Sequence, residues 1–134
     1  MPPSSAKELT ALLLIEVPKA VPGTRLWRMN IGGAYPIQAI QAVKSALQRG
    51  DATGALALLN RTRPLMFGGL SGVPDLDGIL PDGRRLGIEV KWGRDTQSPE
   101  QITCQKIYQD RGAVYIIARG LEECLAELRA VAGK

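Results

Sequence analysis

Asp75, Glu89 and Lys91 are the residues of this chain whose types and spacing could do chemistry. Glu89 and Lys91 stand two apart in Gly87-Ile88-Glu89-Val90-Lys91, a run that reads as a strand, so they share one face. Ile88, Val90 and Trp92 take the opposite, buried face. The preceding turn decides what stands opposite Glu89. Pro81-Asp82-Gly83 fits a three-residue hairpin loop, a type I turn with glycine in the left-handed position. Leu80 then pairs with Arg84, and the register sets Asp75 opposite Glu89, with Cβ atoms about 4.5–5.5 Å apart. Lys91 lies on the diagonal. Asp77 shares Asp75's face and stands opposite Gly87. A two-residue loop would instead turn Asp75 to the apolar side with Val90.

Two facing carboxylates repel each other, and a divalent cation between them removes that cost. Hard oxygen ligands with positions left for water suit Mg²⁺. A lysine beside such a pair can orient or deprotonate an attacking water and stabilise charge developing on phosphorus. The chain has no histidine. That excludes Ser-His-Asp hydrolysis, Cys-His proteolysis, His-ligated zinc and nucleases with a histidine base. Acid–base chemistry must come from carboxylates, Lys, Tyr or a metal-bound water. The plainer alternative is a solvent-facing strand whose acids pair with Lys91 for under about 1 kcal/mol.

The elements that would position these residues follow from periodicity. Ser5-Ala6-Lys7-Glu8 is a capping box opening a helix that Pro18 and Pro22 terminate. Arg25 to Ile31 alternates, with Trp27, Met29 and Ile31 on one face and Leu26, Arg28 and Asn30 on the other; Gly32-Gly33 breaks it. Ile37, Ile40, Val43 and Leu47 form a helical stripe between Pro36 and Arg49. Gly50 closes that helix, and Asp51 caps a second one to about Asn60. Leu65-Met66-Phe67 reads as a short strand before Gly68-Gly69-Leu70-Ser71-Gly72, a mobile approach to the site. Val73 to Leu80 and Arg84 to Trp92 form the hairpin. Ser98 caps a helix with Pro99 in its first turn, Gly112 ends it, and Ala113 to Ala118 is an apolar, central strand. Leu121, Cys124, Leu125, Leu128 and Val131 line a closing helix. The expected fold is a mixed α/β sandwich in one domain, residues 1–134, with a helical insert at about 34–64.

With 134 residues, 45% hydrophobic and 22% charged, the chain is one domain's worth of globular material. The formal charge of +4 is uneven: residues 1–67 carry 8 bases and 3 acids, residues 68–134 carry 9 bases and 10 acids. A basic half suits a polyanionic partner, although an ordinary solvated surface would have the same sign. Arg28 and Asn30, on the polar face of their strand, are candidate phosphate contacts, as are Arg61, Arg63, Arg84, Arg85 and Arg94. Cys104 and Cys124 lack metal-type spacing and follow no secretory signal. They read as reduced thiols, which places the protein in the cytoplasm. No run is long enough for a membrane span.

Pro74-Asp75, then Glu89-Val90-Lys91, resembles the PD-(D/E)XK nuclease superfamily, and more narrowly the VRR-NUC family. The resemblance also takes in the Glu8 helix, Trp27-Arg28-Met29-Asn30, Phe67-Gly68-Gly69, Ser71-Gly72-Val73-Pro74-Asp75-Leu76-Asp77-Gly78, Gly87-Ile88 and Ser98-Pro99-Glu100-Gln101. It implies a restriction-endonuclease-like mixed sheet flanked by helices, an αβββαβ core. It implies Mg²⁺- or Mn²⁺-dependent DNA cleavage, with Asp75 and Glu89 as metal ligands, the Val90 carbonyl as a third and Lys91 as the catalytic lysine. Glu8 matches the family's N-terminal helix acid at the metal, and Gln101 the glutamine of the following helix. Small stand-alone members occur in phages and bacteria, and some resemble Holliday-junction resolvases that work as homodimers. The implied partner is branched DNA, with a helicase or recombination protein in trans. A flap or fork nuclease, a nickase, and a non-catalytic DNA-binding module are the alternatives. The stretch from Ala34 to Pro64 departs from a minimal member. Its apolar surface could build the dimer interface or engage DNA.

Overall fold

A computed structural model describes residues 1–29, 32–67 and 72–133, with the backbone alone for 32–34 and 65–67. The chain divides into two compact units, residues 1–30 with 70–134, and residues 31–69.

The first unit is a mixed α/β layer structure. Helix α1 (Ala6–Ala20) begins at Ser5, whose hydroxyl accepts the Glu8 backbone N–H at 3.2 Å. Leu9, Leu13 and Val17, four residues apart, are fully buried on one stripe. The helix runs through Pro18 instead of stopping there. Pro18 forgoes only the bond to the Leu14 carbonyl, and the turn after it still closes, with the Val21 N–H on the Val17 carbonyl at 3.0 Å.

In the second unit, β2 (Gly32–Ala34) pairs antiparallel with β3 (Leu65–Phe67), and α2 (Ile37–Gln48) and α3 (Ala52–Arg61) lie between them. The insert is therefore wider than the expected 34–64. Gly32-Gly33 is strand rather than a break, because a partner at 65–67 supplies its ladder. Asp51 caps α3 by accepting the Gly54 N–H at 2.8 Å. Ala46 and Ala55 are the buried residues of the two helices, small enough for close packing.

Four strands form the main sheet of the first unit, ordered β1 (Arg25–Arg28), β4 (Leu76–Ile79), β5 (Arg85–Val90) and β6 (Val114–Ala118). The pairs β1–β4 and β4–β5 are antiparallel, and β5–β6 is parallel. The turn has the expected form: Leu80 and Arg84 pair, the Gly83 N–H donates to the Leu80 carbonyl at 2.9 Å, and Gly83 has φ +91°. The ladder ends at Leu76↔Ile88; one residue further, the same register directs Asp75 towards Glu89, and its side chain accepts the neighbouring Val90 N–H at 2.9 Å.

Two strand expectations are corrected. β4 starts at Leu76 rather than Val73, since Pro74 has no N–H for the ladder. Among the described residues β6 is an edge strand, not a central one. Helix α5 (Leu121–Ala132) and helix α4 (Pro99–Asp110) both pack on β6, so its run is apolar although one of its edges is unpaired. α1 and α5 contribute Leu9, Leu13, Val17, Leu125 and Leu128 to a core closed by Leu76, Leu86, Ile88, Val90 and Ile116 of the sheet. Among the described residues no helix is long and apolar enough to cross a membrane.

Candidate active site

The other face of the sheet carries the polar groups, and α4 covers part of it. Glu89 and Lys91 point to this face and are 2% and 5% exposed, so β5 is buried on both sides. That departs from an ordinary solvated strand, and it takes Lys91 and Glu89 out of the surface-pair alternative. Lys91 Nζ lies 3.5 Å from Glu89 Oε1 and 3.7 Å from Asp95 Oδ2.

Asp95 escaped the sequence reading. The turn from Trp92 to Asp95, closed by a 3.0 Å bond between the Asp95 N–H and the Trp92 carbonyl, returns it to Lys91. Gly93, at φ +58°, was the available signal.

Gln101 reaches the same carboxylate. Ser98 and Gln101 form a reciprocal capping box, with Ser98 N–H to Gln101 Oε1 at 2.9 Å and Gln101 N–H to Ser98 Oγ at 3.2 Å. Gln101 Nε2 then donates to Glu89 Oε1 at 2.8 Å. Capping and site contact are one arrangement, with the oxygen of the amide on a donor and its nitrogen on an acceptor.

Asp75 Oδ2 accepts the Val90 N–H at 2.9 Å, and the Asp75 carbonyl accepts the Met29 N–H at 2.8 Å. The loop carrying Asp75 is also held at Gly72. Gly72 has φ +85°, and a Cβ there would collide with the Glu100 backbone at the start of α4. Only glycine lets the loop lie against that helix. The ladder ends at Leu76↔Ile88, and beyond it the Val90 N–H is taken by the Asp75 side chain instead of a strand partner.

Glu89 is the strained group of the site. Burial first, and the Asp75 carboxylate second, push its pKa up to about 7, while Lys91 pulls the other way. Its Oε2 is buried and has no hydrogen-bond partner. An oxygen of this kind, beside a second carboxylate, fits a hard divalent cation.

Glu8 does not join them. Its carboxylate accepts the Ser4 N–H at 2.7 Å and the Ser4 hydroxyl at 2.8 Å, is solvent-exposed, and is held below its usual range by those bonds. Among the described residues no group of three His, Cys, Asp or Glu side chains could hold a metal ion. The expectation that Glu8 ligates a metal is corrected to a role in the helix cap. The α1 residues that do face Asp75 are Ala6, Lys7 and Thr10, which line a hollow of about 270 Å³ with Arg28, Met29, Asp75 and Val90.

Arg28 is thus beside Asp75. Arg94 is exposed in the Trp92–Asp95 turn. Arg61 and Arg63 are exposed in the second unit, and Asn30 lies outside the described residues, as does most of the glycine-rich approach. Arg84 pairs with Asp82 at 2.7 Å.

Arg85 has another task than phosphate contact. It grips buried Asp77 with two bonds, 3.1 and 2.6 Å, over the Tyr108 ring at 5.0 Å. Tyr108 also donates to Asp77 at 3.2 Å, and burial pushes its own pKa up to about 12. Gly87 makes room for it, since a Cβ there would lie 2.8 Å from the Tyr108 ring. The pairing of Asp77 with Gly87 was legible in the register; its capture by Arg85 and Tyr108 was not. Comparison of the chain with family models, with curated proteins and with solved structures found no match in any of the three.

Proposed function

We propose that this protein is a divalent-metal-dependent DNA endonuclease of the VRR-NUC type, built on a restriction-endonuclease-like core. One observation carries the reading. Glu89, buried with an unpartnered Oε2, is gathered with Asp75, Lys91 and Gln101 at one end of the hairpin.

Asp75 and Glu89, with the Val90 carbonyl, would hold Mg²⁺ or Mn²⁺. When bound, the ion supplies Lewis-acid stabilisation of charge on a phosphoryl oxygen and lowers the pKa of water. Lys91 is the cation of the site, fixed between Glu89 and Asp95, and it orients the attacking water and offsets charge growing on phosphorus. Gln101 fixes the rotamer of Glu89, so the carboxylate does not have to be reordered at each turnover. Arg28, beside Asp75, receives the DNA backbone.

One such site cuts one strand. Paired cuts on a four-way junction call for two copies, a C2 homodimer. In the second unit Ile37, Ile40, Leu47 and Leu56 are exposed and offer apolar surface for that contact. The test is incubation of labelled branched and duplex DNA with the protein in Mg²⁺, in Mn²⁺ and in EDTA, beside Glu89→Gln. Metal-dependent cleavage abolished by Glu89→Gln is expected. Cleavage unchanged by EDTA or by Glu89→Gln would refute the reading.

A further inference from the structure

The carboxylate face of the sheet is only partly covered. α4 lies over β5 and β6, where Gln101 meets Glu89 and Tyr108 meets Asp77. At the β1 edge the same face is open. Trp27 stands opposite Asp77 in the ladder, and Asp77 is two residues from Asp75, so the Trp27 ring shares the face of the catalytic carboxylates one strand away. Leu26, its neighbour in sequence, turns the other way and packs against the core.

Trp27 is 42% exposed and Ile79 is 47% exposed. With Asp77, Gly78, Gly83 and Arg85 they line an open hollow of about 330 Å³. The chain has two tryptophans, and Trp92 is half-buried against the core, so Trp27 is the one offered to solvent. The charges around it favour an anion. Arg25, two residues from Trp27 and on its face, is exposed and makes no ion pair among the described residues. The one acid within the hollow, Asp77, is buried and already neutralised by the Arg85 fork.

An exposed indole with an uncommitted arginine on its own face suits a ligand with both a π-face and a negative backbone. A single-stranded nucleotide has both. In a duplex the base faces are hidden by stacking. We propose that Trp27 is a stacking platform for an unpaired base, with Arg25, two residues away on the same face, on an adjoining phosphate. The enzyme then selects DNA that carries unpaired nucleotides beside the cut. This rests on the nuclease reading for the position of the cut, but the stacking itself needs no hydrolysis.

The test therefore begins in EDTA. Binding of a labelled oligothymidylate and of a blunt duplex of equal length is measured for the wild type, Trp27→Ala and Trp27→Phe. Thermal melts check that each variant is folded. Intrinsic emission is followed in a Trp92→Phe background. Oligothymidylate should quench Trp27. Trp27→Ala should weaken single-strand binding about tenfold and duplex binding by less than about threefold, and Trp27→Phe should retain most of the affinity. In Mg²⁺, Trp27→Ala should lose preference for a flap over the duplex.

Equal loss on both DNAs, or no loss on either, overturns the platform. So does Trp27 emission that changes with protein concentration and not with DNA, which would mean that a second copy covers the ring. Quenching without cleavage would keep the platform and remove the nuclease reading. Cleavage without any effect of Trp27 would do the reverse.

Discussion

Gln101 Nε2 donates to Glu89 Oε1 at 2.8 Å, and the other end of the same amide caps the helix that carries it. Two variants separate these roles. Ser98→Ala removes the cap and should cost about 1 kcal/mol of stability while cleavage falls little. Gln101→Ala removes both and leaves Glu89 without its donor. It should cost a comparable amount in urea melts and lower kcat by about tenfold or more. Equal kinetic effects from the two would place Gln101 in the cap alone.

The raised pKa of Glu89 makes metal-free stability depend on pH with a definite sign. The folded protein holds a proton on Glu89 up to about pH 7, whereas the unfolded chain releases it near 4.5. Between these values the native state binds more protons, so stability falls as pH rises, by up to about 3 kcal/mol, and levels off above 7. The lowered carboxylates of Glu8 and Asp82 act below this window. Urea melts in EDTA from pH 4.5 to 8 should show the decline, and Glu89→Gln should flatten it. Added Mg²⁺ should restore stability at pH 8. A flat wild-type profile would contradict the burial of Glu89.

Gly72 and Gly83 both have positive φ, +85° and +91°, but only Gly72 is walled in. Gly83→Ala meets open space and should cost about 1 kcal/mol from backbone strain. Gly72→Ala also pushes into the Glu100 backbone. It should cost at least about 2 kcal/mol, and it should reduce cleavage more than stability, because the loop it moves carries Asp75. Matched melts and initial rates for the two variants decide this.

Asp77 is buried, but the side chain of Arg85 is 57% exposed. Removing either partner is therefore unequal. Arg85→Ala strands a buried carboxylate with Tyr108 as its remaining donor and should cost about 3 kcal/mol. Tyr108→Phe removes one bond and should cost about 1 kcal/mol. Equal costs in denaturant melts would mean that Asp77 is solvated once Arg85 is lost.

Much of the site was legible because the hairpin is local. Pro81-Asp82-Gly83 set the turn, the turn set the register, and the register directed Asp75 towards Glu89. The capping signals at Ser5, Asp51 and Ser98 were likewise readable, since each bonds within four residues. Contacts made by packing were not. Nothing in the spacing told that Glu8 would fold back on Ser4, that Asp95 would return to Lys91, or that Arg85 would close on Asp77. The apolar run of β6 was read as central because burial by helices and burial by strands leave the same composition. Pro18 was read as a stop, although a proline one turn from a helix end removes a single bond.

The most direct measurement is single-turnover cleavage of a labelled four-way junction, a flap and a linear duplex in Mg²⁺, by the wild type and by Lys91→Ala. The proposed mechanism predicts metal-dependent cuts on branched DNA that fall at least about a hundredfold in the variant, with DNA binding retained. Undiminished cutting by Lys91→Ala, or binding without cleavage of any substrate by the wild type, would contradict it.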